Sequence, residues 1–408
     1  MVVGMLKTYR SLLAIPHARA FVLAGFVARL SISMRALGAV LMVSELTGSY
    51  GLAGAVAAAA LLGEAVAAPR LGRLVDRYGQ RGALLVSLAV HSAGTLALVF
   101  SAQLAAPTWV LLATAALSGA AALQVGSLVR ARWSALVGGS PALEAAFALE
   151  STLDELIFVL GPALVTALAL GVAPGAGLLG ALFLTTVGSL ALALQRRTEP
   201  EPARVRDQSE RSAIGTPGLR VLVATFLAVG AIFGTLDVAM VAFAGQGGAP
   251  AAAGSLLALV ALGSLLAGLA YGARSWRWPL DKRFVASVVV LWGGTVPLVL
   301  VPSVALMAPA ATLAGVAIAP TLIAGFTLVQ KLVPSGALTE GLNWTITALG
   351  VGAAAGAWTA GLISDTAGGR TAFLVAVVAG SIAVIVAAWG RSRLLTRQDK
   401  QKKSLQTL

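Results

Sequence analysis

Twelve apolar runs follow one another along this chain, at about 20–46, 51–71, 83–103, 107–129, 145–170 and 175–195, then 218–245, 250–272, 284–303, 305–330, 339–363 and 371–391. Each is about 20 residues or longer, enough to cross a hydrocarbon core of ~30 Å at 1.5 Å rise per residue. Lipid offers no partner to a backbone N–H or C=O, so runs of this length are expected to be helices that satisfy their own backbone. The expected fold class is therefore an all-α membrane protein with twelve transmembrane helices in two six-helix bundles. A polar stretch without apolar periodicity divides the two sets of six. The expected boundaries are an N-terminal bundle over 1–195, a cytoplasmic linker over 196–217, a C-terminal bundle over 218–391 and a basic cytoplasmic tail over 392–408.

The charges agree with this division. Only 11% of residues are charged, against about 25% in soluble proteins. The net charge of +13 would suit nucleic acid if it were gathered in one domain, but it lies in the connections. With the N-terminus inside, 26 of the 29 lysines and arginines fall in inside segments. This is the positive-inside pattern, and it places both termini in the cytoplasm. The absence of cysteine excludes disulfides and thiolate chemistry, and two histidines are too few for a His-based metal site. No phosphate-cradling G-x-x-x-x-G-K-[ST] stretch occurs, so no ATP-driven motor, enzyme activity or cofactor is expected; the energy source would be a proton gradient. The N-terminus lacks a cleavage-site pattern and is expected to be retained. An Ala-, Gly- and Arg-rich composition suits a GC-rich bacterial genome and hence the bacterial cytoplasmic (inner) membrane. The expected partners are the lipid bilayer and a small-molecule substrate, with no nucleic acid, and the expected state is a monomer.

Between the second and third runs lies Gly72-Arg73-Leu74-Val75-Asp76-Arg77-Tyr78-Gly79-Gln80-Arg81, expected to be a tight charged turn. It resembles the loop between helices two and three of the major facilitator superfamily, G-x-L-x-D-R-x-G-[RKQ]-[RK]. The resemblance implies the two-bundle major facilitator fold, secondary transport by alternating access, and a cytoplasmic gate. In that gate Gly72, Asp76, Arg77, Gly79 and Arg81 would face the start of helix eleven near Glu340. Gly161-Pro162 in the fifth run resembles the core of the helix-five motif of the drug:proton antiporter branch, G-P-x-x-G-G. The closing glycines are missing, as is that branch's helix-four arginine, so the usual proton route is not carried over whole. The Gly161-Pro162 pair is expected to kink its helix.

Ionisable groups inside the runs are costly in lipid and face protein or water. Arg29 and Arg35 lie in the first run, as cavity or substrate residues; for Arg29, a structural role pinning the first helix to the fifth weighs equally. Glu150, Asp154 and Glu155 lie in the fifth run, with Glu150 and Asp154 four apart on one face. Asp154 is the expected proton-coupling group, with Glu150 and Glu155 beside it. Asp237 in the seventh run is a second candidate for coupling or for binding a cationic substrate. Glu64 is expected to pair with Arg70. The G-x-x-x-G pairs Gly230/Gly234, Gly268/Gly272 and Gly352/Gly356 are expected to be helix-packing faces.

Together these residues point to proton-coupled export of a small amphipathic or cationic compound. Alternatives are a metabolite symporter or lipid flippase, in which Arg29 and Arg35 bind an anion, and a non-transporting membrane sensor or scaffold, which needs neither Asp154 nor a cavity.

Overall fold

The computed structural model describes residues 10–137, 142–200, 213–273, 276–333 and 338–394. Within them the chain is all-helical, with twelve helices long and apolar enough to cross a membrane. The first six spans are α1 (Ala18–Thr47), α2 (Tyr50–Tyr78), α3 (Gln80–Gln103), the pair α4 (Thr108–Ala120) and α5 (Val125–Val137), α6 (Ala142–Gly171) and α7 (Ala176–Leu194). The second six are α8 (Pro217–Gln246), α9 (Ala252–Ala273), α10 (Leu280–Leu300), the pair α11 (Val304–Gly315) and α12 (Ile318–Leu332), α13 (Leu338–Ala367) and α14 (Gly369–Trp389). The chain forms two compact units, one of Met1–Thr47 with Leu62–Asp207 and one of Gly48–Leu61 with Gln208–Leu408.

In the first unit α1 packs on α6 and α7, and α3 packs on α4 and α7. In the second, α8 packs on α13 and α14, and α10 on α12 and α14. The first span of each half thus lies on the fifth and sixth of its own half, as expected for a repeated plan. Small residues allow these approaches. A Cβ on Gly188 of α7 would collide with the backbone of Ala28 on α1. On α8, Gly230 and Gly234 sit against the carbonyls of Leu349 and Ala353, while Gly352 and Gly356 of α13 sit against those of Leu227 and Ala231. The two G-x-x-x-G faces therefore interlock. Gly268 touches Ala319, but a Cβ at Gly272 would meet nothing within 4 Å among the described residues, so there that third pair is not a packing face as a pair.

Three expectations change. The connection after the second span is shorter than a turn over 72–81: α2 stays helical through Tyr78, and only Gly79 leaves the helix. Gly79 has φ +85°, a conformation glycine adopts at no steric cost, and this ends the helix where polar residues alone do not. The fourth and tenth spans are each broken. Residues 121–124 separate α4 from α5, and Ser87 Oγ on α3 donates to the freed Ala121 carbonyl at 2.6 Å. Val316 and Ala317 separate α11 from α12. Pro320, in the first turn of α12, has no N–H to give to Val316, so the helix restarts there. The fifth span, by contrast, runs helical through Pro162.

In the second unit the start of α2 is fixed by Asp365 of α13. Its carboxylate accepts from Ser49 Oγ at 2.8 Å and from the backbone N–H groups of Tyr50 and Gly51 at 2.7 and 2.8 Å. These are the N–H groups an α-helix leaves without a partner at its first turn.

Candidate functional site

A network of buried ion pairs in the first unit lies where α1, α5 and α6 meet. Arg29 on α1 reaches across to α6, with Nη2 on Glu150 Oε2 and Nη1 on Asp154 Oδ1 at 2.7 Å. Its Nε donates to the Gly25 carbonyl one turn back, at 3.1 Å, which fixes the plane of the guanidinium. Glu150 and Asp154 meet one guanidinium because four residues bring them to the same face of α6. The second oxygen of Glu150 accepts from Trp133 Nε1 at 2.9 Å. Trp133 is itself seated edge-on against Phe21, with centroids 4.9 Å apart. The second oxygen of Asp154 takes Arg130 of α5 at 2.6 Å. Gly126 makes room for both arginines: a Cβ there would lie 3.1 Å from Arg130 Nη1 and 3.5 Å from Arg29 Cδ.

The network opens toward one end. Arg29 and Glu150 are 1% and 0% exposed, whereas Asp154 and Arg130 are 32% and 35% exposed. Two arginines balance two carboxylates, so the cluster carries no net charge. Arg29 therefore joins the first span to the fifth, and Asp154 is the partly exposed carboxylate of the network.

A second pairing lies further along α1. Arg35 Nη2 approaches Glu64 Oε2 at 3.3 Å, and Gln124, in the break between α4 and α5, donates to Glu64 Oε1. The expected Glu64–Arg70 pair does not form. Six residues apart on a helix, the two point roughly 120° away from each other, and Arg70 bonds the Val66 carbonyl instead. The remaining donors of Arg35 have no partner among the described residues. Glu155 and Asp237, both half-buried, likewise lack a hydrogen bond or ion pair among the described residues.

The side chains of Asp76, Arg77 and Glu340, three of the expected gate residues, lie outside the described residues. Of the rest, Gly72 has open space around it, and the backbone N–H of Arg81 is capped by Glu199 at 2.8 Å. Gln80 of the same motif is buried, accepts from Arg132 Nε at 2.8 Å and donates to the Leu128 carbonyl at 3.1 Å. Gly161 of α6 sits against α1: a Cβ there would collide with Ser33 Oγ. Ser33 Oγ donates to the Ile157 carbonyl at 2.8 Å, one turn before Pro162. The sequence alone does not single out Arg130, Trp133, Gln80 or Arg132 as site residues. Arg130, Arg132 and Trp133 lie just past the end of the fourth apolar run, and Gln80 is known from sequence only as a member of the 72–81 motif.

Twelve spans, two of them broken at corresponding positions, with charged side chains gathered inside one half, define a membrane transporter. Broken helices at matching positions of two halves are where transporters of repeated architecture hold their substrates and ions. Known proteins place the chain more closely. The family model for the Major Facilitator Superfamily matches residues 21–248, more than half of the sequence, and the chain belongs to that family. No curated protein sequence matches. Solved structures with the same fold include a bacterial homologue of the iron transporter ferroportin in an inward-facing state, at 15% identity and TM-score 0.70, covering 93% of this chain and 99% of that one. The nucleoside transporter NupG matches at 14% identity and TM-score 0.70, over 94% and 100%. The human organic anion transporter MFSD10 (TETRAN) matches at 16% identity and TM-score 0.61, over 91% and 100%. At these identities the likeness carries the fold alone.

Proposed function

We propose that this protein is a proton-coupled exporter of a small amphipathic compound, working by alternating access in a bacterial cytoplasmic membrane with both termini inside. The observation that carries the reading is the open end of the Arg29–Asp154–Arg130 chain. Ion pairs in a membrane interior are expensive to assemble, and a purely structural set has no need of an accessible member. A proton or a polar substrate group reaching Asp154 competes with Arg29 and Arg130 for its oxygens, and so loosens α1 and α5 from α6. The carboxylates of Glu155 and Asp237, unpaired among the described residues, are the companion carriers: a lone charge in lipid is costly, and taking up a proton removes that cost. The partial helix-five motif at Gly161-Pro162 and the positive-inside distribution support export and this orientation respectively.

The test is transport in proteoliposomes under an imposed pH gradient, with a panel of lipophilic dyes, small metabolites and headgroup-labelled lipids. Gradient-dependent movement of at least one amphipathic compound is expected. Movement that ignores the gradient would remove proton coupling, and movement of lipid alone would favour the flippase alternative.

A further inference from the structure

His91 is buried in α3, 3% exposed, and takes no part in the ion-pair chain. Its Nδ1 lies 2.8 Å from the Ser118 carbonyl on α4 and 3.3 Å from the Ser118 hydroxyl, which is itself held by Thr95 at 2.7 Å. A carbonyl oxygen only accepts, so Nδ1 carries the ring proton and the neutral ring presents Nε2 as a bare acceptor. Nε2 has no partner among the described residues, and it is not sealed in: His91 lines a cleft of the first unit together with Arg35, Ser31 and Thr185. Ser31 and Thr185 are occupied with each other, at 2.6 Å, and with the carbonyls of Ala28 and Ala181. Arg35 is not, since among the described residues its only bond is the long one to Glu64. One wall thus offers a fixed acceptor and another a cationic donor, beside the break between α4 and α5.

We infer that His91 and Arg35 form a subsite for a substrate group that carries an N–H or O–H donor next to a carbonyl oxygen, such as a primary carboxamide. The inference rests on the transporter reading above and gives it a substrate class. The donor meets His91 Nε2 and the carbonyl meets Arg35. The cleft's free volume, about 30 Å³, holds one or two waters. It therefore admits a functional group of that size and excludes a whole molecule, whose apolar body stays outside. A charged ammonium offers no carbonyl to Arg35, and a tertiary amide has nothing to give to Nε2.

Equilibrium binding to the purified protein tests this, with benzamide and N,N-dimethylbenzamide as probes. The wild type is expected to prefer benzamide by about three- to tenfold, the effect of one neutral hydrogen bond. His91→Asn keeps a donor for the Ser118 carbonyl but lacks the second nitrogen, and is expected to lose the preference. His91→Gln sets an amide oxygen near the Nε2 position and is expected to keep part of it. Nitrogen-15 spectra of histidine-labelled protein report the same atom directly. The chain has two histidines, so His17→Asn leaves the His91 signals alone. They are expected to show a protonated Nδ1 and a bare Nε2 that shifts on adding benzamide. Four results would overturn the inference: no benzamide binding at millimolar concentration, equal binding of the two probes, a preference that survives in His91→Asn, or a proton on Nε2. Because binding needs no gradient, a failure of proton-driven transport with the preference intact would remove the coupling and leave the subsite.

Discussion

Arg29 on the first span holds Asp154 on the fifth at 2.7 Å, and the same guanidinium holds the fully buried Glu150. Removing the arginine strands Glu150 with Trp133 as its one remaining partner among the described residues. Breaking a buried pair in this way costs about 3–5 kcal/mol, mostly because the remaining charge is uncompensated. Arg29→Met is therefore expected to lower the thermal unfolding temperature in detergent sharply. Adding Glu150→Gln, which removes the stranded charge and keeps an acceptor for Trp133, should recover at least half of the loss. An Arg29→Met protein as stable as wild type would show that the pair does not hold the two helices.

Asp154 and Asp237 separate coupling from structure. Asp154 is tied to two arginines, and Asp237 is tied to nothing among the described residues. Asp154→Asn is expected to reduce gradient-driven transport by about tenfold, within the usual range of coupling energies, and also to loosen Arg29 and Arg130. Asp237→Asn should leave stability unchanged and reduce only the dependence on the gradient. Transport under an imposed pH gradient, set beside counterflow without one, reads both. Wild-type gradient dependence in both variants would take these acids out of the proton path.

The spans were legible because lipid leaves a chain few choices: twelve apolar runs become twelve membrane-crossing spans, although their ends are not set by polarity alone, as Gly79 shows. The meeting of Arg29 with Glu150 and Asp154 was legible for a related reason, since charges this costly need partners and four residues put the two acids on one face. The break after Ala120 was not legible. Residues 121–124 contain no proline or glycine, and what stabilises the break is a hydroxyl from Ser87, 34 residues away. Pro320 does carry a signal for the matching break in the tenth span, but the apolar run hides it. The Glu64–Arg70 pairing fails for another reason: nearness in sequence is not nearness on a helix face. Arg130 and Arg132 read from sequence as inside charges, an account that says nothing about what they bind.

Gly352 in the α8–α13 seam and Gly272 near the end of α9 carry predictions of opposite sign. A Cβ at Gly352 would collide with the Leu227 carbonyl, a backbone atom that cannot swing aside. Gly352→Val is expected to cost about 1–3 kcal/mol or more through overpacking. Gly272→Ala meets nothing within 4 Å and, sitting in a helix, should be neutral or slightly stabilising. Thermal unfolding of the two variants side by side checks this. Equal effects would mean that the seam does not depend on small residues.

The proposed orientation is tested independently of transport. A reporter fused after Lys403 should be cytoplasmic, and one inserted near Gly369 should face the other side, as the distribution of lysine and arginine requires. A cytoplasmic reporter at Gly369 would overturn the assignment.

Arg132 is fully buried and has no carboxylate within ion-pairing distance among the described residues, yet nearly every donor is used. Nε donates to Gln80 at 2.8 Å, Nη1 to the Gln195 carbonyl and Thr198 Oγ1 at 2.9 Å each, and Nη2 to the Leu192 carbonyl at 3.0 Å. The carbonyls of Leu192 and Gln195 belong to the last turn and cap of α7. They are acceptors a helix leaves unmet at the end where its dipole is negative. A guanidinium satisfies this site because it is a planar fork whose donors diverge toward α3 and α7 at once. An ammonium of the same charge has three donors on one atom and cannot span both helices. Arg132→Lys is therefore expected to be nearly as damaging as Arg132→Met, by about 2–4 kcal/mol at ~1 kcal/mol net for each hydrogen bond broken. Gln80→Ala, which removes one of the four partners, should cost about 1–2 kcal/mol. Unfolding temperatures of the three variants give the ranking. If Arg132→Lys were close to wild type, charge alone would hold the ends of α5 and α7 together, and the fork geometry would be incidental.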